Sequence, residues 1–230
     1  MSTIDYCTDC GNTGWLEPGV PCKCGKANKN VYNESDNLSI PEQYRNVIFN
    51  GNRVNKDVGD GYTYYLEGLF NDIVSGKPMN INIFIGSPPK HSKTIFAYSC
   101  LVKLYKCGKK VFPLFDTGEI KRIMSDLENG KKCPLLDGLD VNITALLDSP
   151  YLFVKVTDEL SFDTYNTMVV LLDRRTRRGG NTIFLYNGSW NYFAGADKQG
   201  RVKALVGDGT FGTILPKSYW IREDEEENDG

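Results

Sequence analysis

Ile81-Asn82-Ile83-Phe84-Ile85-Gly86-Ser87-Pro88-Pro89-Lys90-His91-Ser92-Lys93-Thr94 is the stretch whose reading decides the fold. A short apolar strand runs into a proline-containing loop, and residues 95–107 then carry apolar side chains at helical spacing. Strand, loop, Lys-Thr, helix is the order of a phosphate-binding loop, G-x-x-x-x-G-K-[ST]. Lys93 and Thr94 stand where such a loop keeps the lysine for the β- and γ-phosphates and the hydroxyl for Mg2+. Ser87 and Ser92 occupy the two glycine positions. The glycines let backbone N–H groups converge on phosphate, so serine adds side chains where the backbone must approach closely. Pro88 and Pro89 are compatible with the loop, and Lys90 and His91 add positive charge that compensates in part. Taken alone, the stretch also reads as a surface turn before a helix.

Its surroundings favour the first reading. Residues 151–156 form an apolar strand that ends in Thr157-Asp158-Glu159. In a nucleotide site Asp158 would hold Mg2+ through water and Glu159 would orient the attacking water. The competing reading is an ordinary strand with a polar turn, and Lys155 is unusual for a central strand. A third strand, 182–186, ends at Asn187, which can contact the γ-phosphate or the water. Helices are expected over 62–75, 93–107, 117–127 and 161–174, and strands over 80–85, 110–115, 151–156 and 182–186, with short β pieces at 213–215 and 219–221. Strands alternating with helices imply an α/β domain with a mostly parallel sheet.

The 230 residues suffice for one ordinary domain and a small appendage, and 40% of them are hydrophobic. No run approaches the roughly 18 apolar residues of a membrane span, and no charged-then-apolar leader opens the chain, so a cytoplasmic protein with no membrane contact is expected. The net charge of −2 makes the whole molecule no magnet for nucleic acid. A local patch would be needed. Arg174-Arg175-Thr176-Arg177-Arg178 is one candidate, with Lys109, Lys110, Lys121 and Arg122 as further basic residues. Those arginines read equally well as a cap on a helix C-terminus. The acidic residues 223–227 read as a solubilising tail more readily than as a binding element.

Seven cysteines in a cytoplasmic chain argue for metal or thiols rather than disulfides. Cys7-x-x-Cys10 and Cys22-x-Cys24 supply four thiolates on two tight turns, the donor set of tetrahedral Zn2+. The single residue within the second pair is less common, and an iron–sulfur site or unliganded thiols are the alternatives. Zinc would supply most of the folding free energy of so small a module. Cys100, Cys107 and Cys133 read as small buried residues. The expected organisation is a zinc-binding module over 1–30, a linker over 31–39, an ATPase-like domain over 40–222 and an acidic tail over 223–230.

Over nearly its whole length the chain resembles the DnaC-type replicative helicase loaders of bacteria and phages, which are AAA+ ATPases. The resemblance rests on Ser87-Pro88-Pro89 through Lys93-Thr94, against the family's G-P-P-x-x-G-K-T, and on Asp158-Glu159-Leu160, against its D-[DE]-[IL]. It rests also on Arg175 twelve positions before Asn187, and on the strand 182–187. Ile40-Pro41-Glu42-Gln43-Tyr44-Arg45 with Phe49 looks like the family segment that covers the adenine. Gly200-Arg201-Val202 and Ser218-Tyr219-Trp220-Ile221-Arg222 look like a lid remnant. The cysteine module is similar to the zinc modules of phage and Gram-positive loaders.

The resemblance implies an AAA+-like core with a parallel central sheet, and bound ATP and Mg2+. It also implies a hexameric replicative DNA helicase as partner, contact with single-stranded DNA and a possible homo-oligomer. Catalytic roles would fall to Asp158, Glu159 and Asn187, and nucleotide binding to residues 87–94. The departures are both loop glycines, Tyr186 in the family's serine position, and Leu205 in place of the second finger arginine after Arg201. They bear on hydrolysis more than on the fold. The alternatives are a non-hydrolysing adaptor for a helicase or initiator, a transposition-helper ATPase, and a zinc-stabilised DNA-binding protein without a nucleotide.

Overall fold

The computed structural model describes residues 15–17, 20–21, 38, 40–41, 44, 49, 60–77, 79, 81–89, 92–107, 109, 111–131, 143–157, 161–188, 195, 199–201, 204 and 211–214. Two short strands, β1 (Trp15–Glu17) and β2 (Val20–Pro21), pair antiparallel. The main body follows as α1 (Asp60–Ser75), β3 (Asn82–Gly86), α2 (Lys93–Lys106), β4 (Phe115–Asp116), α3 (Thr117–Glu128), α4 (Ile143–Asp148), β5 (Tyr151–Lys155), α5 (Phe162–Thr176), β6 (Asn181–Tyr186) and β7 (Phe211–Ile214). Strands β3 to β7 make one sheet in the order β4-β5-β6-β3-β7, with every pair parallel.

The strands are buried on both faces, which is why they read as apolar runs rather than alternating ones. Their side chains still divide by parity. Phe84, Leu152, Val154, Phe184 and Tyr186 enter one core, with Ile120 and Ile123 of α3 and Leu171 and Leu172 of α5. Ile83, Ile85, Phe153, Ile183 and Leu185 enter the other, with Leu66 and Ile73 of α1 and Phe96, Cys100 and Leu104 of α2. The result is a sheet between two helical layers. Full burial of each large side chain contributes about 1.5–3 kcal/mol before conformational entropy is charged against it.

The chain leaves β3, passes over β6 and β5 to reach β4 at one edge, and returns through β5 and β6. From β6 it crosses β3 to β7 at the opposite edge. Connections from the neighbouring strands β3 and β6 therefore run in opposite directions. In parallel sheets such a switch point opens a ligand crevice at the C-terminal strand ends. The candidate loop leaves β3 at that crevice.

A buried polar network holds the other end of the same strands. The Arg175 guanidinium has no exposed surface. Its Nε donates to Thr182 Oγ1 at 3.0 Å, its Nη1 to the carbonyls of Leu146 (2.5 Å) and Leu147 (3.2 Å), and its Nη2 to those of Ser149 (2.8 Å) and Asn181 (2.7 Å). Burial pushes its pKa down to about 10, against the pull of Asp148, and leaves it charged at neutral pH. Asn82 extends the network: its Oδ1 accepts from the Thr182 N–H and its Nδ2 donates to Thr176 Oγ1, both at 2.8 Å. Gly180 makes room, since a Cβ there would lie 3.1 Å from Arg175 Nη2 and from the Leu147 and Ser149 carbonyls.

The observed elements match the expected helices and strands to within about two residues, apart from β4. There only 115–116 pair as strand, because β4 is an edge that meets β5 at two positions. Lys155 is exposed at the last position of β5, so the strand carries no buried charge through the core. Helix α4 and the β1–β2 pair have no counterpart in the sequence reading; six and five residues give too little periodicity. Cys100 is buried as expected, but Cys107 is exposed at the end of α2. Residues 219–221 lie outside the described residues.

Replacing Arg175 with Met keeps the stem but strips five donors from buried oxygens. We expect a loss of about 3 kcal/mol in urea unfolding. Arg175→Lys should fall in the same range, because an ammonium brings at most three donors and no planar fork. A loss below about 1 kcal/mol for both would contradict the role of this network.

Candidate phosphate-binding site

The register of the parallel strands sets which residues meet at the crevice. Gly86 lies opposite Tyr186, and Lys155 opposite Leu185. The ladder continues one step further on each side: the Ser87 N–H donates to the Tyr186 carbonyl at 3.2 Å, and the Val156 N–H to the Leu185 carbonyl at 2.8 Å. Ser87, Asn187 and Thr157 therefore end three neighbouring strands at the same level, with strands about 4.8 Å apart. Thr157 is fastened to the start of α3. Its hydroxyl lies 3.0 Å from Thr117 Oγ1, which also accepts from the Thr157 N–H at 3.3 Å. Asp158 and Glu159, which follow Thr157, lie outside the described residues, as do Lys90 and His91.

Within the loop, Ser92 has φ 60° and ψ 3°, the left-handed conformation, and among the described residues it is the one non-glycine with positive φ. A glycine would adopt this conformation freely, whereas serine does so at a cost of about 1–2 kcal/mol. Ser92 then starts α2, whose Phe96 N–H donates to the Ser92 carbonyl at 2.8 Å. Ser92 makes no side-chain cap, and the first turn of α2 holds no acidic residue. Helix α3 differs: Asp116 and Glu119 close its N-terminus with a reciprocal capping box, each bond 2.8 Å. The positive end of α2 keeps its attraction for an anion.

Lys93 is 5% exposed. Its Nζ donates to Ser87 Oγ at 2.6 Å and to the carbonyls of Ser87 and Pro88 at 2.8 Å each. Ser87 is fully buried, and its hydroxyl also lies 3.2 Å from the Tyr62 hydroxyl of α1. Burial pushes the Tyr62 phenol up to about 12, with the Ser87 hydrogen bond pulling the other way, so it is a neutral partner. Pro88 is half-buried, Pro89 is exposed, and Thr94 is half-buried in the first turn of α2. The sequence reading missed Tyr62, Thr117 and Thr157. Each is an ordinary helix or strand-end residue whose partner is distant in the chain.

The segment expected to cover an adenine is fastened to α1 and α2 where it is described. Tyr44 stacks on Tyr98 with ring centres 5.0 Å apart. The Phe49 N–H donates to Ser99 Oγ at 2.8 Å, and its ring packs on Phe70 and Phe96. Of the basic residues expected along a nucleic-acid path, Lys110 lies outside the described residues, and several others are engaged within the chain. Arg174 pairs with Glu128, Arg177 with Asp173 (3.1 Å) and Arg178 with Asp148 (2.8 Å), while Arg175 is buried. Arg175 does cap a helix C-terminus, but that of α4 rather than of its own helix. Lys121 pairs with Asp163 at 2.8 Å, and Lys109 borders a pocket with Gly76, Pro150 and Gly179 at the opposite end of the strands.

Cys7, Cys10, Cys22 and Cys24 lie outside the described residues, among which no group of His, Cys, Asp and Glu could hold a metal ion. No described helix is long and apolar enough to cross a membrane.

No protein-family model matches the sequence, and no curated protein matches it significantly. Solved structures do. A crystal structure of the DnaC helicase loader matches with a TM-score of 0.55 at 17% identity, over 77% of this chain and all of that one. A putative primosome component from Streptococcus pyogenes serotype M3 matches with a TM-score of 0.51 at 15% identity, over 81% of this chain and 94% of that one. The chain shares its α/β fold with these structures, its own sheet being parallel and five-stranded. At such identities the likeness is one of fold.

The strain at Ser92 is open to test. Ser92→Gly removes the left-handed penalty while adding freedom to the unfolded chain, so its stability should stay within about 1 kcal/mol of the parent. Ser92→Val should lose about 2 kcal/mol, because a β-branched residue fits that conformation worst. Equal effects of the two substitutions in thermal unfolding would show that the position is not left-handed.

Proposed function

We propose that this protein is an ATP-binding helicase loader that delivers a hexameric replicative DNA helicase to DNA, in the replication of a phage or bacterium. The observation that carries the proposal is the convergence of Lys93, Asn187 and the end of β5 at the C-terminal ends of neighbouring strands, in the chain order of a nucleotide site. The fold agrees, being that of a DnaC helicase loader and of a protein described as a primosome component.

In this reading residues 40–222 form the AAA+-like domain. The backbone of 87–92 and the N-terminus of α2 receive the phosphates, and Lys93 meets their charge. Thr94 and Asp158 hold Mg2+, Glu159 and Asn187 face the water, and the segment around Tyr44 covers the base. The donor set fits a polyphosphate with its cation: a lysine, a hydroxyl at a helix start, and an uncapped helix N-terminus. Bound ATP would supply the differential contacts by which such a protein holds or releases its partner. A working assembly would contact single-stranded DNA and could be a homo-oligomer in the cytoplasm.

A second reading, a loader-like adaptor that binds its partner without turning over ATP, is favoured by the two serines and by the hydrogen bonds of Lys93 to its own loop. Calorimetry with Mg2+ and ATP, and phosphate release in the presence of the partner helicase, separate the two. The first reading expects Lys93→Ala to weaken ATP binding at least about tenfold, the loss of one charged hydrogen-bond donor to phosphate. If Lys93→Ala changes neither nucleotide affinity nor helicase loading, the nucleotide reading is lost.

For residues 1–30 we propose a zinc module that docks on the helicase, joined through 31–39 and separate in role from an acidic tail over 223–230. Cys7 and Cys10 precede the β1–β2 pair, and Cys22 and Cys24 follow it. Pro21, beside Cys22, lies opposite Trp15, so the pairing turns the chain back between the two cysteine pairs. Elemental analysis should find one zinc per chain. The double substitution Cys22→Ser, Cys24→Ser should lose it without changing ATP affinity; a metal content unaffected by the substitution would refute the assignment.

A further inference from the structure

The serine at position 87 is usually the kind of change that would be scored as a lost glycine. Its surroundings give it a task. Ser87 has no positive φ, since among the described non-glycine residues only Ser92 has one, so the backbone there does not itself demand glycine. Its side chain is fully buried. There the hydroxyl receives a hydrogen bond from Lys93 at 2.6 Å, shorter than those to the Ser87 and Pro88 carbonyls, and stands 3.2 Å from the Tyr62 hydroxyl. Tyr62 is 1% exposed and set in α1, whose Leu66 and Ile73 are completely buried in the same core as Phe96 of α2. The chain of contacts therefore runs from a helix outside the loop, through a hydroxyl that a glycine would not have, to the loop lysine.

An ammonium has three N–H donors. Three loop oxygens, Ser87 Oγ and the carbonyls of Ser87 and Pro88, lie within 2.8 Å of Lys93 Nζ. A ligand phosphate competes with those oxygens for the same donors, and hydrogen bonds to a charged group are worth about twice neutral ones.

We propose that Tyr62, Ser87 and Lys93 form a latch that holds the loop lysine retracted in the ligand-free protein, so that a polyphosphate has to open it. The inference rests on the nucleotide-site reading for its consequence, but the latch itself is a property of the protein alone. It makes position 87 a control point for the lysine, with α1 as the element that carries its anchor. A movement of α1 on a partner would release Lys93 without any change in the loop's own sequence.

The test uses the full chain and two substitutions, Ser87→Ala and Tyr62→Phe, the second keeping the ring that fills the core. The first readout is the rate at which an amine-acylating reagent modifies Lys93, followed by peptide mass spectrometry with Lys77, an exposed lysine, as internal standard. The latch expects Ser87→Ala to raise the Lys93 rate about tenfold, the worth of one hydrogen bond to a charged group, and Tyr62→Phe to raise it by a smaller factor. Circular dichroism accompanies both variants. If Ser87→Ala does not fold, the Tyr62→Phe rate decides.

The second readout is Mg2+–ATP affinity. Faster acylation together with tighter ATP binding supports the latch and the nucleotide reading. Faster acylation with no ATP binding in any variant supports the latch and removes the nucleotide reading. An unchanged acylation rate in the folded variants overturns the latch, whatever the ATP affinity.

Discussion

The buried Arg175 guanidinium is the interaction on which the arrangement of this molecule depends. It gathers carbonyls from the end of α4 and from Ser149, together with the first two residues of β6, while Asn82 ties β6 to β3 in the next step of the same network. The hydrogen-bond acceptors of Arg175 are all neutral oxygens, so its charge is held by their geometry, with Asp148 adding only a longer-range attraction. Such a site tolerates little: each oxygen left without its donor costs about 1–3 kcal/mol. In a parallel sheet a shift of one residue turns every side chain to the other face. By fixing where β6 starts against β3, the network at one end of the strands sets what meets at the opposite end, where Ser87 and Asn187 come level.

At that opposite end, the two serines that stand at the glycine positions of a phosphate-loop pattern differ in what they do. Ser92 bears the left-handed conformation that a glycine would adopt without strain. Ser87 takes an ordinary conformation and directs a hydroxyl inward to Lys93 and Tyr62. The two serines are thus unequal: one carries backbone strain, and the other adds contacts. Strain of this kind persists only where the surrounding structure over-determines the backbone. Here β3 enters the loop buried at all five positions, and α2 leaves it with Phe96, Ala97, Cys100 and Leu101 completely buried.

Much of the fold was legible in the chain because strands buried on both faces are short apolar runs and the helices between them have a clear period. The helix expected over 117–127 begins with a complete capping box, since Asp116 stands three residues before Glu119. Helix α4 escaped it, because six residues give less than two full turns of pattern. The arginine run was legible as a basic patch or a helix cap, but not which of its members is buried. Three of its members form exposed ion pairs worth little individually, and the fourth is buried in a cage of oxygens whose positions no local pattern encodes. Of the candidate site, Lys93 and Asn187 were found from motif order. Tyr62, 25 residues from Ser87, could be found only in space.

The sequence by itself determined the alternation of strand and helix, the position of the loop between β3 and α2, and the residues on which phosphate chemistry would rest. Those features are written in neighbouring residues and in periods of two and 3.6. Tertiary structure decided the strand order, which places β6 between β5 and β3, and with it the level at which Thr157, Asn187 and Ser87 end. It also decided that Arg175 is a structural cation and that the Ser87 hydroxyl faces Lys93. These outcomes depend on contacts between residues that are distant in the chain, whose geometry is fixed only when the two helical layers close on the sheet.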